Sequence, residues 1–406
     1  MEKKAVEDCD GCHQQPRMPI SSVSAGTRLK SGNKNTSKQR YNKRNARKEC
    51  TWRPWSDLPG ELLSEIAKGL SVADYLSFGR VCRNWRSITV SSKREFLESQ
   101  APLVLVISSH ARKTCFFFDM SSQDTYRTVL PKFSGRSIVG ISSGYLIMQL
   151  SDIMLTNPIT GHTLEFPGAL QPFPDRITMS DGCIFASTMP HQDFLVVALF
   201  SMHLNLQFRR SRDHQWTFYS YAGEPWEIKD ITAFGARIYA LTSDSQIRVL
   251  SLKNPPTMEP LQLKGKPHLG SNVTFAASDE HLVVLDLVPH RRVEVYRIDF
   301  VSSQWVKVDD LGDQSVFMSD MIHLRLASLH TTASWGGRRN CVYYLGPWSA
   351  KGTVFTLEGD LVENISVAPG DRLRSIRASY GWYFPRDSHK MNSVWDDQFD
   401  DDLTNA

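Results

Sequence analysis

From Pro102 onward the apolar residues come in runs of four to eight, and none of them forms a helical stripe. Residues 103–107, 138–141, 144–148 and 194–200 are such runs, residues 115–119, 127–130, 281–287 and 293–300 mix polar residues with apolar ones over strand length, and Ser, Gly, Asn and Pro separate the segments. Apolar runs of this length, bounded by turn formers, are strands. The layout repeats. Marking the onset of each unit's second strand at residues 144, 182, 235, 281 and 340 gives spacings of 38, 53, 46 and 59. A loose period of about 40–50 residues with three or four strands per unit predicts a β-propeller of about six blades over residues 101–386. A pair of β-sandwiches is the alternative, and the recurring strand–turn–strand layout favours the propeller. The turn Asn157-Pro158-Ile159-Thr160-Gly161 fits a hairpin, because Pro158 fixes φ and Gly161 can supply a positive φ.

Residues 51–100 have a different period. Leu58, Leu62, Leu63, Ile66, Ala67 and Leu70 fall at offsets 0, 4, 5, 8, 9 and 12, which is one face of a helix. Pro59 suits its first turn, where a missing N–H costs nothing. Ser71-Val72-Ala73-Asp74 reads as a weak capping box that opens a second helix, with Tyr75, Leu76, Phe78, Val81 and Cys82 as its apolar positions. Asn84-Trp85-Arg86 starts a third. Three helices in about forty residues bury too little surface to stand alone, and such a bundle usually binds a partner.

The ordered set Leu58-Pro59, Leu62-Leu63, Ile66, Leu70, Asp74, Phe78, Val81-Cys82 and Trp85-Arg86 resembles an F-box. That family packs three helices against an SKP-type adaptor and, through it, a cullin. The resemblance implies that Leu58, Pro59, Leu62, Leu63, Ile66, Leu70, Val81, Cys82 and Trp85 form the adaptor-binding set, with the last three partly holding the motif's core. The β region adds to it. Asn157-Pro158, Asp230-Ile231-Thr232-Ala233-Phe234, Trp305-Val306-Lys307-Val308 and the closing Trp382-Tyr383-Phe384-Pro385 make the whole chain similar to plant F-box proteins whose C-terminal domain is a kelch-like propeller.

The termini differ from both regions. The formal charge is +4, but residues 1–50 alone carry twelve basic and five acidic side chains, leaving −3 for the rest. The arm has no hydrophobic periodicity and is expected to be disordered. Lys43, Arg44, Arg47 and Lys48 form a nuclear-import candidate. With only Tyr41 among its basic residues, any nucleic-acid contact would be salt-sensitive phosphate binding, and sequence-specific reading is not expected. Residues 387–406 form an acidic tail. Neither a membrane span nor a signal peptide is expected, because the apolar runs are strand-length. Seven scattered cysteines suggest reduced thiols in nucleus or cytoplasm.

Catalytic patterns are sparse. Gly140-Ile141-Ser142-Ser143-Gly144 matches a nucleophile elbow, but a strand and not a helix is expected after it. Cys9-Asp10-Gly11-Cys12-His13 matches a haem-attachment pattern without the export signal that chemistry needs, and it supplies three zinc ligands out of four. Asp152, Asp181, Asp230 and Asp279 recur near strand ends and read as turn residues. Trp216 and Trp305 read as blade packing. No cofactor or metal is expected. The chain is therefore expected to be a non-catalytic substrate receptor of an SKP–cullin–F-box ubiquitin ligase that holds an unknown protein on its propeller. The alternative is a nuclear F-box regulator that acts through nucleic acid or a protein partner without degradation.

Overall fold

The computed structural model describes residues 55–108, 114–130, 135–150, 152–167, 182–187, 194–321, 324–347, 351–367 and 378–387. The basic arm with Lys43, Arg44, Arg47 and Lys48, the Cys9-to-His13 segment, Asp181 and residues 388–406 of the acidic tail lie outside them.

Three helices come first: α1 (Gly60–Lys68), α2 (Val72–Phe78) and α3 (Arg83–Ser99). Pro59 is the residue that caps α1, one position ahead of the first turn. Ser71 caps α2 by accepting the Asp74 N–H at 3.2 Å, and its hydroxyl donates to the Asp74 carboxylate at 2.8 Å. The helices meet around Leu63, Ala67, Tyr75, Phe78, Phe96 and Leu97. Tyr75 stacks on Phe96 with ring centres 3.8 Å apart, and its hydroxyl donates to the Thr89 carbonyl at 2.7 Å. Gly79 permits the close approach of α2 and α3, since a Cβ there would lie 2.5 Å from Thr89 Oγ1.

Six sheets follow. Blade 1 holds β1 (Leu103–Ser108), β2 (Thr114–Asp119) and β3 (Thr125–Val129), completed on its inner edge by β25 (Ala378–Tyr383). Blade 2 holds β4 (Ser137–Ser142), β5 (Tyr145–Gln149), β6 (Ile153–Thr156) and β7 (Thr163–Phe166). Blade 3 holds β8 (Gly182–Ser187), β9 (Phe194–Phe200), β10 (Asn205–Arg210) and β11 (Thr217–Ser220). Blade 4 holds β12 (Ile228–Phe234), β13 (Arg237–Thr242), β14 (Ile247–Ser251) and β15 (Thr257–Pro260). Blade 5 holds β16 (Val273–Ala277), β17 (Leu282–Leu287), β18 (Val293–Asp299) and β19 (Gln304–Val308). Blade 6 holds β20 (Gln314–Met321), β21 (Leu324–Thr331), β22 (Cys341–Leu345), β23 (Lys351–Thr356) and β24 (Leu361–Ser366).

This is the six-bladed propeller expected from the repeat, and not a pair of sandwiches. The continuous apolar runs follow from it. In β9, Phe194, Val196, Ala198 and Phe200 enter the core shared with blade 2, while Leu195, Val197 and Leu199 enter the core shared with blade 4. Side chains alternate across a strand, so a strand packed on both faces, such as β9, favours apolar residues at every position. Residues 182–187 correct one expectation. They form the inner strand of blade 3, and its second strand starts at Phe194.

Blade 6 breaks the pattern. Residues 319–329 belong to a hairpin in which β20 pairs antiparallel with β21 and parallel with β22. The extra strand β21 lies innermost and touches both β16 and β4. It therefore occupies the central channel that the other blades surround.

The ring is closed by β25, which pairs antiparallel with β1 from Leu103↔Tyr383 to Ser108↔Ala378. Trp382 ties that strand to blade 6, because its indole N–H donates to the Met318 carbonyl at 3.0 Å and the Tyr343 carbonyl at 3.2 Å. Trp382→Ala should therefore cost about 3–5 kcal/mol in urea unfolding. Leu361→Ala, on an exposed outer strand, should stay within about 0.5 kcal/mol. Equal midpoints for the two variants would show that closure does not limit stability.

Candidate functional site

The helical motif presents a two-sided surface. Leu63 is 0% exposed and sits wholly inside the core, so it supports the motif by packing and offers no contact area. Leu62, Ile66 and Val81 point outward and are 53%, 45% and 59% exposed, with Pro59 exposed beside them. Leu58, Leu70, Cys82 and Trp85 are half-buried. Trp85 stacks on Phe78 with centres 4.2 Å apart, and its N–H donates to the Trp55 carbonyl at 3.0 Å. That bond holds the entry segment Trp55–Asp57, a single 3-10 turn, against the motif. Leu62 and Ile66, one turn apart on α1, and Val81 after α2 are thus exposed outside a packed core. Trp55 at the same end is also exposed, a residue that the helical periodicity did not single out.

The motif packs on one end of the propeller. Ile159, in the turn between β6 and β7, joins the helical core. Arg94 of α3 pairs with Glu98 at 2.9 Å and also feels the charge of Asp279, in the turn between β16 and β17. Successive strands of a blade are antiparallel, so the turns between second and third strands lie at the opposite end. That far face is free of the helices.

Through the ring runs a cavity of about 430 Å³ alongside β21, lined at different depths by Asp230, Thr274, Ser319, Arg325, His330 and Arg386. Asp230 was expected in a turn. It instead sits in β12, next to a register shift, and bridges to blade 5. Its carboxylate accepts from Thr274 Oγ1 at 2.7 Å, from the Phe275 N–H at 2.7 Å and from the Ile231 N–H at 2.8 Å. Desolvation within the ring outweighs these donors and pushes the carboxyl above its ordinary range. The group faces the channel, so it is less shut off from solvent than a carboxylate in a closed core. Its role is a latch between blades 4 and 5.

The other expected features fall into place as structure. Asp152 pairs with Arg136 at 2.7 Å, and Asp279 with Arg386 at 3.2 Å. Trp305 is buried edge-on to Tyr296, and Trp216 packs beside Phe166. Ser143 and Gly144 form a positive-φ turn between β4 and β5, so a strand follows the serines, as expected. Gly161 has φ +78° and closes the turn after Asn157, whose side chain accepts the Ile159 and Thr160 N–H groups. Among the described residues, Cys82, Cys115 and Cys341 are free. No group of three His, Cys, Asp or Glu among them is placed to hold a metal ion. No described helix is long and apolar enough to cross a membrane.

A three-helix motif with an outward apolar stripe, set on a six-bladed propeller, defines an F-box protein. The F-box domain model matches residues 55–97, and the KIB1-4 beta-propeller model matches residues 117–375. The chain belongs to the KIB1-4 β-propeller family and carries an F-box ahead of the propeller. It is similar to an F-box protein of Arabidopsis thaliana, with 21% identity over 82% of this chain and 98% of that one. An F-box/kelch-repeat protein of the same plant is 22% identical over 71% of this chain and 82% of its own. Among solved structures, TolB from Acinetobacter baumannii is similar at 11% identity over 74% of this chain and 73% of its own, with a TM-score of 0.39.

The latch generates a test. Asp230→Ala strands the Phe275 and Ile231 N–H groups and should cost about 2–4 kcal/mol. Thr274→Val removes one donor only and should cost about 1 kcal/mol. Urea unfolding of the two variants checks the order, and a Thr274→Val loss equal to that of Asp230→Ala would contradict the latch.

Proposed function

We propose that the chain is the substrate-recognition subunit of an SKP–cullin–F-box ubiquitin ligase. The observation that supports this most strongly is the exposed stripe of Leu62, Ile66 and Val81 within the F-box match. Apolar side chains held half-exposed over a packed layer gain by docking: covering the open half of each is worth roughly 1–2 kcal/mol. Leu58, Pro59, Leu70, Cys82 and Trp85 flank or back that stripe and complete the adaptor-facing set. The far face of the propeller then holds the target protein. The chain has no chemistry to perform in such a complex, because it raises the local concentration of target lysines near the charged conjugating enzyme. Nucleus and cytoplasm both suit the role, with Lys43, Arg44, Arg47 and Lys48 as the import signal.

The test is adaptor pull-down with the full chain. Leu62→Ala combined with Ile66→Ala should lower adaptor affinity about 30- to 1000-fold, as a loss of roughly 2–4 kcal/mol requires. The melting midpoint should move by no more than about 2 °C, because both side chains are at the surface. Leu63→Ala should instead lower the midpoint and the pull-down together. Unchanged adaptor binding by the double variant would sink the proposal. Target degradation that continues without the F-box would favour a regulator that works independently of the ligase.

A further inference from the structure

On the face away from the F-box, blades 5 and 6 enclose a cleft of about 380 Å³. Its floor is apolar, formed in part by Val293, Met318 and Phe355, all buried. Its walls carry four cations, Arg291, Arg292, Arg325 and Lys351, against the single carboxylate of Asp320. That carboxylate is already satisfied. Arg325 Nε pairs with it at 2.8 Å, and the Tyr344 hydroxyl donates to it at 2.8 Å. Burial and the neighbouring Asp320 push Tyr344 up to about 12, so its hydroxyl stays a donor. Arg292 pairs with Glu294 at 2.9 Å, a carboxylate also engaged by Lys307 at 3.2 Å. Among the described residues no carboxylate pairs with Arg291, which is exposed at the mouth of the cleft.

The loop that carries Arg291 is built for presentation. His290 and Arg291 both adopt left-handed backbone, with φ of +68° and +66°. Left-handed backbone costs a residue with a side chain roughly 1–2 kcal/mol, and it persists where the surroundings enforce it. Here they do. The Val288 N–H donates to the Arg292 carbonyl at 2.9 Å, and the Val293 N–H to the Leu357 carbonyl at 2.9 Å. Gly359 lies so close beneath that a Cβ would come within 2.7 Å of the His290 carbonyl oxygen. A braced backbone thus presents Arg291 at a cleft that also has apolar lining.

We propose that this cleft binds an anionic side chain of the target protein, a phosphorylated residue or an Asp/Glu pair, with Arg291 as its main contact and an adjacent apolar side chain on the floor. Charge complementarity supports this occupant: the cleft lining holds one carboxylate, already engaged by Arg325, no carboxylate among the described residues pairs with Arg291, and a planar guanidinium suits carboxylate and phosphate oxygens. The proposal rests on the substrate-receptor reading for the identity of the occupant, while the anion site itself stands on geometry.

The experiment measures fluorescence anisotropy of the full chain with three degenerate nonapeptide pools. One has a fixed central phosphoserine, one a central Asp-Asp pair and one a central serine, each followed by leucine. At least one anionic pool should bind about tenfold or more tighter than the serine pool. Arg291→Ala should remove that preference, and so should raising the salt. Arg237→Ala, at the start of β13 on the other face, should leave it unchanged. The anionic pool that binds more tightly names the source of the charge. Equal affinity for all pools, no binding, or a preference that survives Arg291→Ala would overturn the proposal. The Leu62→Ala/Ile66→Ala variant separates the two readings. Intact anion preference with lost adaptor binding confirms both, whereas intact adaptor binding with intact preference leaves the cleft standing and rejects the docking stripe.

Discussion

The propeller depends on one backbone pairing, between its first strand and its last. β1 and β25 come from opposite ends of the β region, and their ladder is what turns five self-contained sheets and a three-stranded remainder into a ring. Without it blade 1 would expose the inner edge of β1, and blade 6 would lose the neighbour that its own inner strands cover. Trp382 and Phe317 concentrate this dependence, since they pack edge-on at 5.3 Å where blades 1 and 6 meet. Closure also brings Tyr383 across the ring, where its hydroxyl donates to the Gly144 carbonyl of blade 2 at 2.9 Å. One short strand therefore holds blades 6, 1 and 2 in register.

Once the ring is closed, β21 changes what its centre can do. An open channel in a propeller admits solvent along the inner strands. Here an extra strand fills part of it and adds Arg325 at one end and His330 at the other. Arg325 connects the channel to the outer cleft, because it lines both cavities while pairing with Asp320. The same insertion shapes the boundary between blades 5 and 6, and the cleft lies on that boundary. The irregular blade thus gives the cleft Asp320 and Arg325, while Arg291 and Arg292 come from the turn between β17 and β18.

Much of this was legible in the residues, for a physical reason. Strands packed on both faces favour apolar residues at every position, so runs such as residues 194–200 stand out without any alternation to decode. The F-box stood out because its helices carry apolar residues on two sides, with Leu63 inside the core and Leu62 exposed. What escaped was whatever depends on partners remote in the chain. The β20–β21 hairpin carries Ser319, Arg325, Ser328 and His330 because it faces a channel, and polar residues in a strand read as a loop. Asp230 looks like a turn aspartate until Thr274 is brought beside it. Arg291 sits in a Pro-His-Arg-Arg stretch whose sequence says only that the chain turns there. The assignment of residues 182–187 failed because inner and second strands of a blade have the same composition.

The helices and the propeller are less separable than their sequence boundary suggests. The F-box is too small to bury its own apolar surface fully, and Ile159 of blade 2 supplies part of one wall. α3 ends in Phe96 and Leu97, both buried, and Ala101 then leads straight into β1. A fragment of residues 51–100 would lose that wall and the anchored end of α3 together. Weak adaptor binding by such a fragment would then report on folding and not on the docking stripe. The same packing fixes the orientation of the propeller on its F-box. In the proposed complex, the distance from adaptor to target is consequently set by the rigid ring and not by a linker. A target held at the blade 5–6 cleft is presented in one defined geometry.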